Sequence, residues 1–152
     1  MEPSPEIRNV MTRLIDALRE GDEEAVSNRF SRQPGFERFG YDPAEHWRDG
    51  DEAALVVIQQ MRETDGFPWR PEGDVVAMAE GTVGWAGMPM IFETPAGDEV
   101  PFRVTCVLHL EHGDPQPRVC IKQLNGGPQP RESRPDDGHV ESCAAGKRGL
   151  DR

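Results

Sequence analysis

Near Asp74 the hydrophobic period of the chain changes, and that change restricts the fold more than any motif does. Before it, Ile7, Val10, Met11, Leu14, Ile15 and Leu18 recur at three- and four-residue steps, the stripe of a helix with one buried face. Ser4 can cap this helix, Pro5 suits its first position, Glu6 meets its positive end and Gly21 stops it. Asp22 can cap a short second helix running through Ala25, Val26 and Phe30, before Pro34 and Gly35 break the chain. A third helix is expected from near Asp51, with Ala54, Leu55, Ile58 and Met61 on its buried side and Gly66 and Pro68 at its end. After Asp74 the segments DVVAMAEG, TVGWAGM, PMIFET, VPFRVTCVLHL and RVCIKQLN read as strands separated by Gly, Pro and Asp turns. Helices followed by a meander of strands predict an α+β domain, with the helices packed into one face of a strongly curved antiparallel sheet.

This pattern ends at Asn125. The remainder, GGPQPRESRPDDGHVESCAAGKRGLDR, has little to bury and is expected to be a disordered tail. The expected organisation is one domain over 1–125 and a tail over 126–152. A hydrophobic fraction of 36% with 30% charged residues fits that division. The net charge of -11 would repel a duplex or an anionic bilayer, so neither nucleic acid nor membrane is an expected partner. There is no apolar run of membrane-spanning length and no apolar signal core, so a soluble, cytoplasmic protein is expected. Cys106, Cys120 and Cys143 form no C-x-x-C pair and are expected as free thiols. The four histidines lack zinc-type spacing, and no metal or organic cofactor is expected.

The last two strands permit a finer expectation. With a turn around Asp114, Leu108 would lie near Cys120, Thr105 near Gln123 and Arg103 near Asn125. Alternation then separates an apolar face (Val104, Cys106, Leu108, Leu110, Cys120, Leu124) from a mixed one (Arg103, Thr105, Val107, His109, Val119, Ile121, Gln123, Asn125).

Residues 40–50 read GYDPAEHWRDG. Within them Asp42-Pro43-Ala44-Glu45, followed by Trp47 and Gly50, resembles a D-P-x-E-W-x-x-G pattern of the SnoaL-like group in the nuclear transport factor 2-like superfamily. GTVGWAG resembles that group's glycine-tryptophan strand, and VPFRVTCVLHL its Arg-x-Thr strand before a hairpin. The resemblance covers roughly residues 5 to 125. His46 intervenes between Glu45 and Trp47, and Gln123 stands where many relatives carry histidine. An amide is no general base near neutral pH, so acid–base chemistry would fall to another residue.

The resemblance implies a cone with one open end and a mainly apolar pocket. The mixed hairpin face would line that pocket, and the apolar face would lie outside as a homodimer contact. It further implies a small-molecule-binding protein, expected to be a cofactor-independent acid–base enzyme (a polyketide-cyclase-like cyclase, isomerase or dehydratase) acting on an apolar oxygenated substrate. The alternative is a non-catalytic ligand-binding or protein-interaction module.

In the enzyme reading His109 or His46 moves a proton and Asp42 is a further candidate base, whereas capping a turn before Pro43 is its plainer role. Tyr41 and Arg103 would stabilise negative charge on oxygen, Arg103 having an ion pair as its alternative. Trp47 and Trp85 would hold the apolar body or simply pack the core. Met88, beside Met78 and Met90, would form an adaptable wall. Thr105 and Gln123 would orient the ligand, with Ile121 and Asn125 on the same face.

Overall fold

The computed structural model describes residues 1–40, 44–112 and 118–128, and for 118, 119 and 122–128 the backbone alone. Its first helix, α1 (Pro5–Glu20), uses the signals read from the sequence. Ser4 accepts a hydrogen bond from the Ile7 amide at 3.2 Å, and Gly21 ends the helix in the left-handed region. The whole stripe is buried except half-buried Val10. Asp22 caps α2 (Glu23–Ser27) by accepting from the Ala25 amide at 3.0 Å. That helix stops short of Phe30, which bridges Ile121 instead.

Helix α3 (Gly50–Thr64) departs from expectation in both start and phase. Asp49, not Asp51, is the cap, accepting from the Asp51 and Glu52 amides at 2.9 Å. The buried stripe is Gly50, Ala53, Ala54, Val57 and Met61, whereas Ile58 is half-buried and Leu55 is 68% exposed. The cause is a close approach: a Cβ on Gly50 would collide with the Ser31 carbonyl oxygen. The helix therefore turns its small residues inward, and Leu55 faces out.

Among the described residues, eight strands form one sheet: β1 (Glu2–Pro3), β2 (Glu37–Phe39), β3 (His46–Trp47), β4 (Trp69–Pro71), β5 (Val76–Glu80), β6 (Val83–Glu93), β7 (Glu99–Glu111) and β8 (Arg118–Pro128). Their order is β1-β5-β6-β7-β8-β2-β3, with β4 continuing the line of β5 along β6. All pairings are antiparallel except β2 with β8. The segments TVGWAGM and PMIFET, expected as two strands, join in β6 through Pro89. Proline is tolerated there because β4 ends opposite Met90 and β5 begins opposite Gly87, so the missing N–H faces the gap between them. The Pro89 carbonyl accepts from the Glu72 amide on that same side. Strand β8 runs to Pro128, which takes three residues of the expected tail into pairs with Phe102, Arg103 and Val104. Residues 129–152, with Cys143, and the turn expected around Asp114 lie outside the described residues.

The β7–β8 register differs from the expected one because of an irregularity between Val107 and Leu108. Leu108 faces Ile121, His109 faces Cys120, Thr105 faces Asn125 and Arg103 faces Gly127. The two faces are also reversed. Val104, Cys106 and Leu108 are 1%, 3% and 0% exposed and belong to the core, whereas Arg103 and Thr105 are exposed and His109 is half-buried on the opposite side. Burial decides this: each fully covered aliphatic side chain gains about 1.5–3 kcal/mol, and the helices supply the cover. The concave side, with Met88, Met90, Phe102 and Ile121, forms one apolar cluster with Met11, Leu14, Ile15 and Leu18 of α1 and Val57 and Met61 of α3. Cys106 and Cys120 are free thiols, both buried. No helix among the described residues is long and apolar enough to cross a membrane.

Candidate functional site

The reversal of faces scatters the residues that the sequence reading gathered. Met88 and Ile121 sit in the core cluster under the helices. Trp85, 39% exposed, lies on the convex side opposite Val107. Arg103, Thr105 and His109 share that convex side, where His109 Nε2 lies 3.3 Å from the Thr82 hydroxyl. Gln123 and Asn125 take positions in β8 opposite Val107 and Thr105, but their side chains, like all of Tyr41 and Asp42, are outside the described residues. His46 is exposed, ion-paired with Glu37 and stacked on Phe39 at 4.5 Å between ring centroids. Among the described residues of the expected set, Trp47 alone is partly buried at the core's edge in contact with a second polar group.

That group is Arg38. Strands β2 and β3 form a hairpin, closed by the Gly40 amide donating to the Glu45 carbonyl at 2.8 Å, in which Arg38 pairs with Trp47 and Phe39 with His46. Alternation puts Glu37, Phe39 and His46 on one side, and Arg38 and Trp47 on the side of α3. The Arg38 guanidinium lies 4.4 Å from the Trp47 ring centroid. Its Nη2 donates to Gln60 Oε1 of α3 at 3.5 Å, the limit of a hydrogen bond. Its Nη1 is buried and, among the described residues, has no hydrogen-bond partner. Burial pulls the guanidinium's pKa down, and the charge of Glu45 pushes it back in part. Glu45 is held across Gly40, where a Cβ would collide with its carboxylate. The result is a desolvated cation with an open donor, backed by an aromatic face and bordered by a carboxylate and an amide.

The family model of the SnoaL-like domain matches residues 7–114, most of the described fold. The chain belongs to the SnoaL-like family. Among solved structures, this domain is similar to a nuclear transport factor 2-like protein of unknown function from Pseudomonas putida KT2440, with TM-score 0.65 and 14% identity over 80% of this chain and 83% of that one. A nuclear transport factor 2-like superfamily protein from Salmonella enterica serovar Typhimurium LT2 gives TM-score 0.65 and 13% identity over 88% and 95%. A suggested ketosteroid isomerase from Shewanella frigidimarina NCIMB 400 gives TM-score 0.62 and 18% identity over 78% and 91%. At such identities these likenesses show the nuclear transport factor 2-like cone alone. None of the curated proteins matches the chain.

Arg38 escaped because the SnoaL-like motif begins only at Asp42 and the stretch taken with it at Gly40. The sequence ERFGYDPAEHW has the form of a hairpin, two short arms around a Gly-to-Pro turn; folding it that way would have set Arg38 opposite Trp47. A concavity of about 390 Å³ opens between Asp16, Arg19 and Glu20 of α1 and Trp69, Arg70 and Glu93. None of the described expected site residues lines it. Arg70 is committed there to Glu93 and Glu99, which hold its pKa up. Arg70 is thus paired, unlike Arg38.

Proposed function

We propose that this SnoaL-like domain binds a small, mainly apolar organic molecule at the α3-facing side of the β2–β3 hairpin. The observation that carries the reading is the buried, unpartnered Nη1 of Arg38. A buried donor without an acceptor costs roughly 1–3 kcal/mol, a cost that a ligand oxygen would remove. Trp47 supports the reading as an aromatic surface beside that donor, and Gln60 as a second polar group. Native mass spectrometry of the purified protein should show a small-molecule adduct that Arg38→Met loses. An adduct retained by that variant would place the ligand elsewhere.

A second reading makes the domain an acid–base enzyme, a cyclase, isomerase or dehydratase. It is favoured by Glu45, whose charge acts on Arg38. Glu45 would take a proton beside a substrate carbonyl, the electron pair would move to oxygen, and Arg38 would hold that oxyanion until the proton returned at another carbon. His109 and His46 have no part in this version, since they face away from Arg38. Turnover abolished by Glu45→Gln with binding retained would support it.

The homodimer, too, belongs with these proposals, through the convex sheet face. The face first expected to dimerise is core, but its opposite exposes Val76, Val83 and Trp85 beside Met78 and Val107, with Glu80 as the one carboxylate described in those cross-strand rows. On a chain of net charge -11, a surface so depleted of acids can meet a second copy without strong repulsion. Sedimentation equilibrium should show a dimer that Trp85→Glu dissociates; a monomer at high concentration would sink the idea.

A further inference from the structure

The ligand of the Arg38 site can be narrowed to a chemical class, an inference that rests on the binding reading above. We infer that it is a carboxylate, with its negative charge present before any reaction, and that Arg38 and Gln60 together hold its two oxygens. Three observations converge on this. First, the open donor is one arm of a planar fork, and a fork matches a carboxylate better than a single carbonyl oxygen. Second, Gln60 Oε1 accepts from Arg38 Nη2. With its oxygen turned to the guanidinium, the amide keeps its NH2 as a second donor in the same neighbourhood. Two neighbouring donors suit two acceptor oxygens. Third, the guanidinium is under-compensated in its present surroundings: burial depresses its pKa more than the nearby Glu45 charge restores it. Glu45 is drawn over Gly40 and leaves Nη1 without a bond.

A neutral ketone or alcohol would satisfy the donor geometrically but add no charge compensation. A charge-assisted hydrogen bond is about twice as strong as a neutral one, so the site should discriminate strongly between an acid and its amide. Trp47, on whose ring the guanidinium rests at 4.4 Å, would supply an aromatic surface for the ligand's apolar body.

The test uses trans-cinnamate and its neutral isostere cinnamamide, titrated calorimetrically against the full chain and against Arg38→Lys, Arg38→Met and Gln60→Leu. The wild type should bind cinnamate at least about tenfold tighter than cinnamamide, the preference expected when only one probe makes charge-assisted bonds. Gln60→Leu should reduce this preference and Arg38→Lys should keep part of it. Arg38→Met should remove it, weakening cinnamate far more than cinnamamide, which loses only a neutral acceptor's bond. Equal affinity of the wild type for both probes would overturn the carboxylate class and leave small-molecule binding standing. Failure of both probes to bind, with no adduct in native mass spectra, would overturn both readings together. A preference that survives Arg38→Met would place the anion site elsewhere and overturn the assignment to Arg38.

Discussion

Arg38→Met is the substitution whose outcome separates a functional arginine from a structural one. In the folded chain Arg38 gains a cation–π contact with Trp47, about 0.5–2 kcal/mol for a partly desolvated pair, and a hydrogen bond to Gln60 too long at 3.5 Å to contribute much. Against these stands the unpartnered Nη1, roughly 1–3 kcal/mol, together with the desolvation that lowers the guanidinium's pKa. Methionine keeps an unbranched stem of similar length and can place sulfur near the indole, a contact of about 0.3–1.5 kcal/mol. The terms nearly cancel, leaning towards the variant. Urea unfolding without ligand should therefore give Arg38→Met a stability equal to the wild type or about 1 kcal/mol higher. Arg38→Ala should be less stable than Arg38→Met, because it also removes the stem that covers Trp47. A loss of about 2 kcal/mol or more in Arg38→Met would refute the reasoning. It would mean that the guanidinium is a structural tie whose bonds outweigh its desolvation.

Three further outcomes follow from the fold. Leu108→Ala, at a fully buried concave position, should cost about 2–5 kcal/mol in urea unfolding, whereas Thr105→Val on the convex side should stay within about 0.5 kcal/mol; the opposite order would restore the inverted face assignment. Burial pushes the Cys106 thiol from 9.0 up to about 12, so between those values the unfolded chain releases a proton that the folded chain keeps. Stability should then fall as pH rises, by up to about 1.4 kcal/mol per unit from this thiol, and Cys106→Ala should show a shallower decline in unfolding measured at successive pH values. Gly50→Ala, which at an open helical position would stabilise, should instead lower stability by about 1–3 kcal/mol because the new Cβ meets the Ser31 carbonyl; a rise in thermal midpoint would show that the Ser31 backbone yields.

What was legible in the sequence were features written in local pattern. The α1 cap, stripe and stop follow from neighbours three or four residues apart, so Ser4, Pro5 and Gly21 announce them. The two sides of β7 are equally local, since alternation needs only the strand itself. Which side faces the helices is not local. Val104, Cys106 and Leu108 could cover either a core or a partner, and a pocket assumed to need polar lining turned the assignment the wrong way round. The phase of α3 was hidden for a related reason. Leu55 and Ile58 outrank Ala53 and Gly50 in hydrophobicity, but contact with the Ser31 backbone selects small size over apolar area. Strands β1 to β4 have two or three residues each, too short for any period to register. The candidate site sits on two of them, and it escaped for that reason.

The structure holds a second buried polar group beside Arg38, and the contrast between the two decides which one points to a ligand. Ser31 and Glu111 are 0% and 8% exposed, as enclosed as any polar pair described. Ser31 donates to the Glu111 carboxylate and accepts from the Gln33 amide at 3.1 Å, while its own backbone N–H donates to the Ile121 carbonyl at 3.0 Å. Each bond joins the segment after α2 to itself, to the end of β7 or to β8, and both of Ser31's donors are used. A network whose donors are spent in this way fixes the geometry of a fold and has no hydrogen left to offer a ligand. Arg38 is the reverse case: less enclosed, yet with a donor facing no acceptor and a charge only partly offset. Local rules are broken at Arg38 and kept at Ser31, and departures of the first kind collect at functional sites because the fold alone gives no reason to retain them. The hairpin that opens with Glu37 is therefore where the binding experiment should begin, ahead of the convex face that displays His109, Arg103 and Trp85.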